Sequence, residues 1–325
     1  MYLGVDGGGT KTAFTLVSDT GAIAGHYVDS TCYHIDVGMN TARDIIHRGI
    51  AEVFNQASID KSALTYAFFG LPAFGEDSST IQALQALPLG ALDAGQYSCD
   101  NDMVNGWAAG FGGKDGINIV AGTGSIAYGK RKTLSARSGG WGDLFGDEGS
   151  AYWIGRQGLQ AFSKMSDHRQ PKSRLYTLVK EFFSVEEDLE ISGIVLNQWQ
   201  GQRSKIAELS KVVHAAALQD DAIAKQILSD AGQELANIVA ACCDRLAYSP
   251  AEKVSISYSG GVFRAENLVF NAFRKTLQEL IPHHDICPPM YSPDVGAAIY
   301  ASLLNGTEIS EKSLINLRIP HTSQA

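Results

Sequence analysis

Two glycine-rich segments of the chain have the composition of turns that bind phosphate groups. The first reads Val5-Asp6-Gly7-Gly8-Gly9-Thr10, and the second reads Val120-Ala121-Gly122-Thr123-Gly124-Ser125. Each follows a short apolar run and places a threonine directly after a glycine, and the two lie about one domain length apart. Backbone N–H groups in such turns point at anions, and glycine lets a ligand approach the main chain closely. The repeat predicts two related domains that each offer one turn to the phosphates of a shared ligand.

Neither segment fits the better-known glycine motifs. Residues 4–12 nearly match a P-loop, but Thr10 stands where the lysine belongs, and residues 13–17 alternate like a strand where a helix is required. Residues 122–127 fit the dinucleotide pattern G-x-G-x-x-A, but the segment 128–132 that follows is polar and has no apolar helix face. The sequence therefore excludes a P-loop and argues against a nicotinamide-binding turn.

Four aspartates stand where a strand is predicted to end or a helix to begin. Asp6 lies at the tip of the first strand, and Asp100 and Asp102 lie between a strand and a helix. Asp147 precedes a helix predicted over 150–164. A carboxylate in such a place can hold Mg²⁺ through water, take a proton from a hydroxyl or bind sugar hydroxyls. The structural alternatives are an acidic turn residue for Asp6 and a helix N-cap for Asp102 and Asp147, because aspartate is among the best N-cap residues.

Composition excludes several classes of function. The 325 residues carry 26 Lys and Arg against 35 Asp and Glu, a net charge of −9, so we expect no general attraction to nucleic acid or to anionic membranes. No apolar run reaches the length of a membrane span. Five cysteines without CxxC spacing, and an N-terminus without a signal-peptide pattern, predict a cytoplasmic protein with reduced thiols.

Strand and helix patterns alternate along the chain, which predicts an α/β protein. After residue 149 the chain is expected to be largely helical up to 249, and residues 305–325 are expected to form a frayed tail. Strands are predicted at 3–5, 13–17, 64–69, 97–99, 117–121, 126–128 and 254–257, and helices at 41–57, 78–87 and 104–110.

The loop after residue 138 carries the most specific pattern. Residues 139–155 read Gly-Gly-Trp-Gly-Asp-Leu-Phe-Gly-Asp-Glu-Gly-Ser-Ala-Tyr-Trp-Ile-Gly. With the two turns and a late Gly260-Gly261 pair, this stretch resembles the N-acetylglucosamine kinase and BadF/BadG-type ATPase family of the sugar kinase, actin and Hsp70 ATPase superfamily. The resemblance implies two ribonuclease H-like, actin-like ATPase domains with a nucleotide and sugar cleft between them. The first would span 1–114 with the helix near 294–304, and the second 115–293 with helical insertions.

The same resemblance implies roles for individual residues, with ATP and Mg²⁺ as cofactors. Asp6 would hold Mg²⁺ through water, and Asp102 would be the catalytic base, with Asp100 as the competing assignment. The residues implied to bind ATP and its phosphates are Gly9, Thr10, Lys11, Gly122, Thr123, Gly260 and Gly261. Those implied to bind the sugar, besides Asp102, are Ser125, Trp141, Gly142, Asp143 and Asp147.

The implied reaction is phosphorylation of the 6-hydroxyl of an amino sugar, with N-acetylglucosamine favoured and glucosamine as the alternative, by a homodimer. The family usually presents an asparagine to the sugar after the first hairpin, but this chain has Tyr33 or a neighbour there, so the sequence leaves the sugar open. The rival is an ATPase that activates a radical dehydratase or reductase. Such activators bridge an iron–sulfur cluster with cysteines in glycine-flanked loops, a setting that none of the five cysteines has.

Overall fold

The computed structural model describes residues 1–265 and 267–319. The strands in this part of the chain are β1 (Tyr2–Gly7), β2 (Lys11–Val17), β3 (Ile23–Ser30), β4 (Tyr66–Leu71), β5 (Tyr97–Asn101), β6 (Gly116–Ala121), β7 (Ser125–Arg131), β8 (Leu134–Gly139), β9 (Val254–Ser259) and β10 (His284–Cys287).

The helices occupy the connections between strands and most of the segment between β8 and β9. They are α1 (His34–Val37), α2 (Met39–Ala57), α3 (Ile81–Gln85), α4 (Met103–Phe111), α5 (Ala151–Ser166), α6 (Arg174–Phe183), α7 (Glu190–Gly193), α8 (Arg203–Ala217), α9 (Ala222–Arg245), α10 (Gly261–Ala265), α11 (Asn267–Leu280), α12 (Pro293–Leu304) and α13 (Glu311–Leu314). Within residues 1–265 and 267–319, none of these helices has the length and hydropathy that a membrane crossing requires.

The chain divides into two compact units. The first unit contains Met1–Gly116, Lys130–Thr133 and the chain from Cys287 onward, and the second unit contains Ile117–Gly129 and Leu134–Ile286. Each unit holds one five-stranded sheet.

The sheet of the first unit has the order β3-β2-β1-β4-β5. The β1–β2 and β2–β3 pairs are antiparallel, whereas β4 runs parallel to β1 and to β5. Asp6 pairs with Gly70 of β4, and Gly70 pairs with Asp100 of β5, so these residues share one row across the sheet. The carboxyl ends of the three parallel strands therefore meet at one edge, which is where α/β sheets bind ligands.

Helix α12 packs closely on β1 because β1 contains a glycine. A Cβ added to Gly4 would lie 2.0 Å from the carbonyl oxygen of Asp294 in α12. The side chains of Leu3 and Val5 in β1 belong to a buried apolar cluster that includes Ile46 and Ile50 of α2. Burial on both faces explains why the residues of β1 are almost uniformly apolar, as is usual for a strand inside a parallel arrangement.

The sheet of the second unit has the order β10-β9-β6-β7-β8. Strand β9 runs parallel to β6, with Val120 opposite Ser259. The turns that follow these two strands therefore begin side by side, and a Cβ added to Gly260 would lie 2.2 Å from the carbonyl oxygen of Ala121. Gly260 also has a φ of 105°, a backbone conformation that favours glycine.

The structure confirms the α/β class and corrects the expectation for the end of the chain. Residues 305–319 are ordered by contacts, not frayed: Ile309 and Leu317 are buried, and the N–H of Ile319 donates to the carbonyl of Met290 at 2.8 Å. The apolar side chains are too widely spaced to predict a helix, but Ile309 and Leu317 each find a buried position. Residues 320–325 of the predicted tail lie outside the described residues.

Candidate active site

The tip of the β1–β2 hairpin is an open turn. The N–H of Gly8 donates to the carbonyl of Lys11 at 2.8 Å, and the Thr31 hydroxyl donates to the carbonyl of Gly8 at 2.8 Å. Gly9, Thr10 and Lys11 are exposed at the tip, and a Cβ on Gly9 would meet nothing within 4 Å. The turn is therefore fixed at its base and leaves its outer main chain accessible, as a phosphate-binding turn requires.

Asp6 is partly buried at the carboxyl end of β1, next to a buried amide. Asn105 of α4 donates to Asp6 Oδ1 at 2.8 Å and to the carbonyl of Val5 at 3.1 Å. Burial raises the pKa of Asp6 to about 6; the Asn105 hydrogen bond lowers it, the charge of Asp294 raises it, and that of Lys11 lowers it. Asn105 could not be predicted from the sequence, because its three-residue spacing from Asp102 is a feature of many helices.

Asp102 immediately precedes helix α4, but its side chain makes no capping hydrogen bond. Asn101 Oδ1 instead accepts from the N–H of Met103 at 3.1 Å, and Asp100 Oδ1 accepts from the N–H of Asn101 at 2.7 Å. Asp102 therefore occupies the N-cap position of α4 without the side-chain hydrogen bond of a capping aspartate. Burial raises the pKa of Asp102 to about 7, with further increases from the charges of Asp6 and Glu76. Asp6 therefore lies close enough to Asp102, at the same sheet edge, for its charge to raise the pKa of Asp102.

This raised pKa predicts a pH-dependent gain in stability for the variant Asp102→Asn. The folded protein favours the protonated carboxyl of Asp102. The wild type therefore has its full free energy of unfolding below the unfolded pKa of about 4, and loses part of it as the pH rises through about 7. The variant removes the charge and should exceed the wild type in free energy of unfolding by up to about 4 kcal/mol at pH 8, because each of the three pKa units corresponds to about 1.4 kcal/mol, with little difference near pH 4. Denaturant titrations at both pH values measure this. An equal difference at pH 4 and pH 8 would contradict the raised pKa.

In the second unit, the turn after β6 is held by the start of helix α5. The N–H groups of Ala151 and Tyr152 donate to the carbonyls of Gly122 and Thr123, at 2.9 and 3.2 Å. The N–H of Gly122 donates to the carbonyl of Gly124 at 2.9 Å, which closes the turn. Thr123 stays exposed, in a position to meet a ligand at this turn.

Gly260 and Gly261 follow β9 and lie at the same edge of the second sheet as the turn after β6. Gly261 is exposed at the start of α10, and a Cβ there would meet nothing within 4 Å. The structure thus brings Gly122, Thr123, Gly260 and Gly261 together at the carboxyl ends of the parallel strands β6 and β9. These are the four residues of the second unit that the sequence implicates in nucleotide binding.

Asp147 is almost inaccessible, with 2% of its surface exposed. Its Oδ1 accepts from the N–H of Ser125 at 3.3 Å, and its Oδ2 forms an ion pair with Arg203. The N-cap of α5 is Ser150, whose hydroxyl accepts from the N–H of Trp153 at 3.1 Å, so the N-cap interpretation of Asp147 is wrong. Burial raises the pKa of Asp147, whereas Arg203 lowers it.

The other residues implicated in sugar binding lie on the same loop or beside it. The Ser125 hydroxyl donates to the carbonyl of Glu148 at 2.7 Å, and the N–H of Gly140 donates to the carbonyl of Ser125 at 2.9 Å. Trp141 is 64% exposed, Gly142 has a positive φ of 86°, and Asp143 is partly buried. The loop therefore joins the second glycine turn and presents an aromatic ring to solvent.

Arg203 is a further residue of the candidate site that no sequence motif marks. It begins helix α8 and reaches the second turn: a Cβ on Gly124 would lie 1.9 Å from Arg203 Nη2 and 2.8 Å from Asp147 Oδ1. Because Arg203 lies far from both residues in the chain and belongs to no motif, only the fold reveals the contact.

Comparison with known proteins identifies the family. Residues 3–301 match the BadF/BadG/BcrA/BcrD ATPase family. The chain belongs to this family. It is 30% identical over 311 residues to an N-acetyl-D-glucosamine kinase of Dictyostelium discoideum, covering 93% of this chain and 97% of the relative. It is also 30% identical over 304 residues to an N-acetylmuramic acid/N-acetylglucosamine kinase of Clostridium acetobutylicum, covering 92% of this chain and 97% of the relative.

Solved structures show the same fold. A candidate N-acetylglucosamine kinase of Chromobacterium violaceum aligns with a TM-score of 0.71 at 22% identity, over 91% of this chain and 97% of that one. A ROK family glucokinase of Streptomyces griseus, solved with glucose and AMPPNP, aligns with a TM-score of 0.51 at 18% identity, over 93% of this chain and 98% of that one. The two five-stranded mixed sheets are thus those of an actin-like ATPase fold.

Proposed function

We propose that this member of the BadF/BadG/BcrA/BcrD ATPase family is a kinase that transfers a phosphoryl group from ATP to the 6-hydroxyl of an amino sugar. The observation that carries the proposal is the carboxylate of Asp102, which stands at the carboxyl edge of the first sheet, makes no side-chain capping hydrogen bond and has a pKa raised to about 7. The two kinases to which the chain is 30% identical over more than nine tenths of its length support this substrate class.

Asp102 would act as the general base. Phosphoryl transfer depends mainly on positioning and charge neutralisation, so one carboxylate that orients the hydroxyl and accepts its proton is sufficient. With a pKa of about 7, roughly half of the Asp102 carboxyls are ionised at neutral pH, and the ionised form accepts a proton well. Asp100 is the competing candidate; we prefer Asp102 because its carboxylate lies within the field of Asp6 at the sheet edge.

The nucleotide would bind with its phosphates at the two glycine turns. Gly9, Thr10 and Lys11 offer an exposed turn in the first unit, and Gly122 with Thr123 offers another in the second. At the Gly260–Gly261 turn, Gly260 lets the main chain pack on Ala121, and Gly261 leaves open space where the adenosine and α-phosphate would lie against the main chain. The predicted cleft between two domains, and the predicted boundary between residues 114 and 115, stay predictions.

The residues beside Asp6 fit Mg²⁺. Asp6 and Asp102 are two partly buried carboxylates at the sheet edge; the charge of Asp6 raises the pKa of Asp102, and a bound cation would offset these negative charges. In residues 1–265 and 267–319 no group of three or more His, Cys, Asp or Glu could enclose a metal ion. This matches Mg²⁺ held by one or two carboxylates together with phosphates and water. Asp6 would hold the ion, which when bound neutralises charge on the transferred phosphoryl group.

The sugar would bind along the 139–149 loop. Asp147 would accept two ring hydroxyls, while Ser125, Gly142 and Asp143 would offer further polar contacts, and the exposed ring of Trp141 would line an N-acyl pocket. Tyr33, partly buried after β3, would decide between the two sugars. If its ring closes over the acetyl methyl group, N-acetylglucosamine is favoured; an open acidic pocket favours glucosamine.

Comparing kcat/KM for glucose, glucosamine and N-acetylglucosamine tests this specificity. We expect N-acetylglucosamine to be the best substrate, since covering one methyl group contributes a preference of about tenfold or more. Glucose as the best substrate would contradict the amino-sugar proposal. We further propose a homodimer in the cytoplasm; light scattering of the purified protein tests the dimer, and fractionation of cells tests the location.

A further inference from the structure

Arg203 forms an ion pair with Asp147, the carboxylate proposed to bind the sugar. Its Nη2 pairs with Asp147 Oδ2, while Asp147 Oδ1 accepts from the N–H of Ser125 at 3.3 Å. Both carboxylate oxygens are thus engaged, and only 2% of Asp147 is exposed. Each oxygen keeps a second lone pair, but because so little of Asp147 is exposed, we expect two sugar hydroxyls to reach it by displacing the Arg203 side chain.

The Arg203 side chain is also well placed to meet a phosphate. Its guanidinium lies against Gly124, because a Cβ there would be 1.9 Å from Nη2. The main chain of the turn 122–124 is proposed to bind the phosphates of ATP. A guanidinium carries five N–H donors, and Arg203 Nε is buried without a hydrogen-bond partner. The side chain as a whole keeps 40% of its surface exposed, which leaves it room to move.

We propose that Arg203 exchanges partners during the reaction cycle: it pairs with Asp147 when the sugar is absent and with a nucleotide phosphate at the turn 122–124 when the sugar occupies Asp147. This inference rests on the proposed function. Arginine suits both partners, since its planar fork matches carboxylate and phosphate geometry equally well. The exchange would couple the two ligands, so that sugar binding strengthens the binding of ATP phosphates and ATP binding strengthens that of the sugar.

The alternative is a fixed ion pair in which Arg203 only orients Asp147. A fixed pair predicts that removing the guanidinium weakens sugar binding and leaves the binding of nucleotide unchanged. Partner exchange predicts the opposite pattern, because Arg203 competes with the sugar and assists the phosphates. The two accounts therefore separate in binding measurements, without any reading of turnover.

The experiment is calorimetry of AMPPNP binding with and without saturating N-acetylglucosamine, in the presence of Mg²⁺. For the wild type we expect the sugar to strengthen AMPPNP binding about tenfold and adenosine binding hardly at all, because adenosine has no phosphate. In Arg203→Gln the strengthening should vanish while the sugar itself binds as well as before or better. Arg169→Gln is the matched control, since Arg169 pairs with Asp167 in the same unit at an exposed site; it should behave as wild type.

A second variant keeps the test independent of the sugar. Asn at position 147 can still accept from the N–H of Ser125 and tolerates the left-handed backbone there, where φ is 58°. Asp147→Asn removes the charge that holds Arg203, so AMPPNP should bind several-fold more tightly even without sugar, and Arg203→Gln in the same chain should abolish the gain.

The outcomes separate this inference from the proposed function. An Arg203-dependent gain in Asp147→Asn supports partner exchange even if the wild type binds no amino sugar, a result that would count only against the proposed function. Unchanged AMPPNP affinity in Asp147→Asn, or full sugar coupling retained in Arg203→Gln, would overturn partner exchange, even in an enzyme that phosphorylates the sugar normally.

Discussion

Replacing Asp102 by asparagine should lower the turnover of amino-sugar phosphorylation by roughly 10²–10⁴-fold. The change keeps the shape of the side chain but removes the proton acceptor. Because Asp102 makes no capping hydrogen bond to helix α4, the loss cannot be attributed to a frayed helix. Binding of AMPPNP should survive, since the nucleotide is proposed to lie at the glycine turns. Steady-state kinetics at saturating sugar and ATP measure the effect.

Asp100→Asn is the matched control for this variant. Asp100 lies two residues away, and its Oδ1 accepts from the N–H of Asn101, a bond that an asparagine oxygen can also accept. We expect its turnover to stay near that of the wild type. Near-normal turnover of Asp102→Asn together with a large loss in Asp100→Asn would transfer the role of base to Asp100.

Asp147→Ala should reduce kcat/KM for the sugar on the order of a hundredfold or more. Two charge-assisted hydrogen bonds to ring hydroxyls contribute roughly 1.5–3 kcal/mol each, and about 1.4 kcal/mol corresponds to a factor of ten. The loss should appear in kcat/KM for the sugar at saturating ATP, because the carboxylate is proposed to bind the sugar in both the ground state and the transition state.

Asp147→Asn distinguishes lost sugar contacts from a disturbed loop. Alanine strains the left-handed backbone at this position, where φ is 58°, and leaves the N–H of Ser125 unpaired. Asparagine avoids both defects but lacks the charge. We expect Asp147→Asn to lose at least tenfold in kcat/KM for the sugar. Full activity of Asp147→Asn alongside a large loss in Asp147→Ala would show that Asp147 only shapes the loop.

The positions of the strand-end residues could be predicted because parallel strands bring their carboxyl ends to one edge. Asp6 lies near the carboxyl end of β1, Asp102 follows β5, and these strands flank β4 in one sheet. Likewise Gly122 and Gly260 follow neighbouring parallel strands. In such cases an apolar run followed by glycine or aspartate predicts where a strand ends, and the parallel arrangement of the strands places these ends side by side.

The predictions failed where long-range contacts override local preference. Asp147 matched an N-cap by residue type, yet Ser150 caps α5 and Asp147 turns to Arg203 instead. Strand β3 was not predicted because it is polar and largely exposed, and it forms a strand through its pairing with β2. The segment 305–319 resembled a tail because the burial of Ile309 and Leu317 depends on contacts with earlier parts of the chain.

The most direct test of the proposed kinase is the position of the transferred phosphate. Incubating the protein with Mg²⁺, ATP and N-acetylglucosamine, and then recording a two-dimensional ¹H–³¹P NMR correlation, identifies the phosphorylated oxygen. We predict a sugar phosphate whose phosphorus correlates with the protons on C6 and whose formation matches the ADP released. Phosphate on another oxygen, or release of inorganic phosphate at the same rate with and without the sugar, would contradict the proposed function.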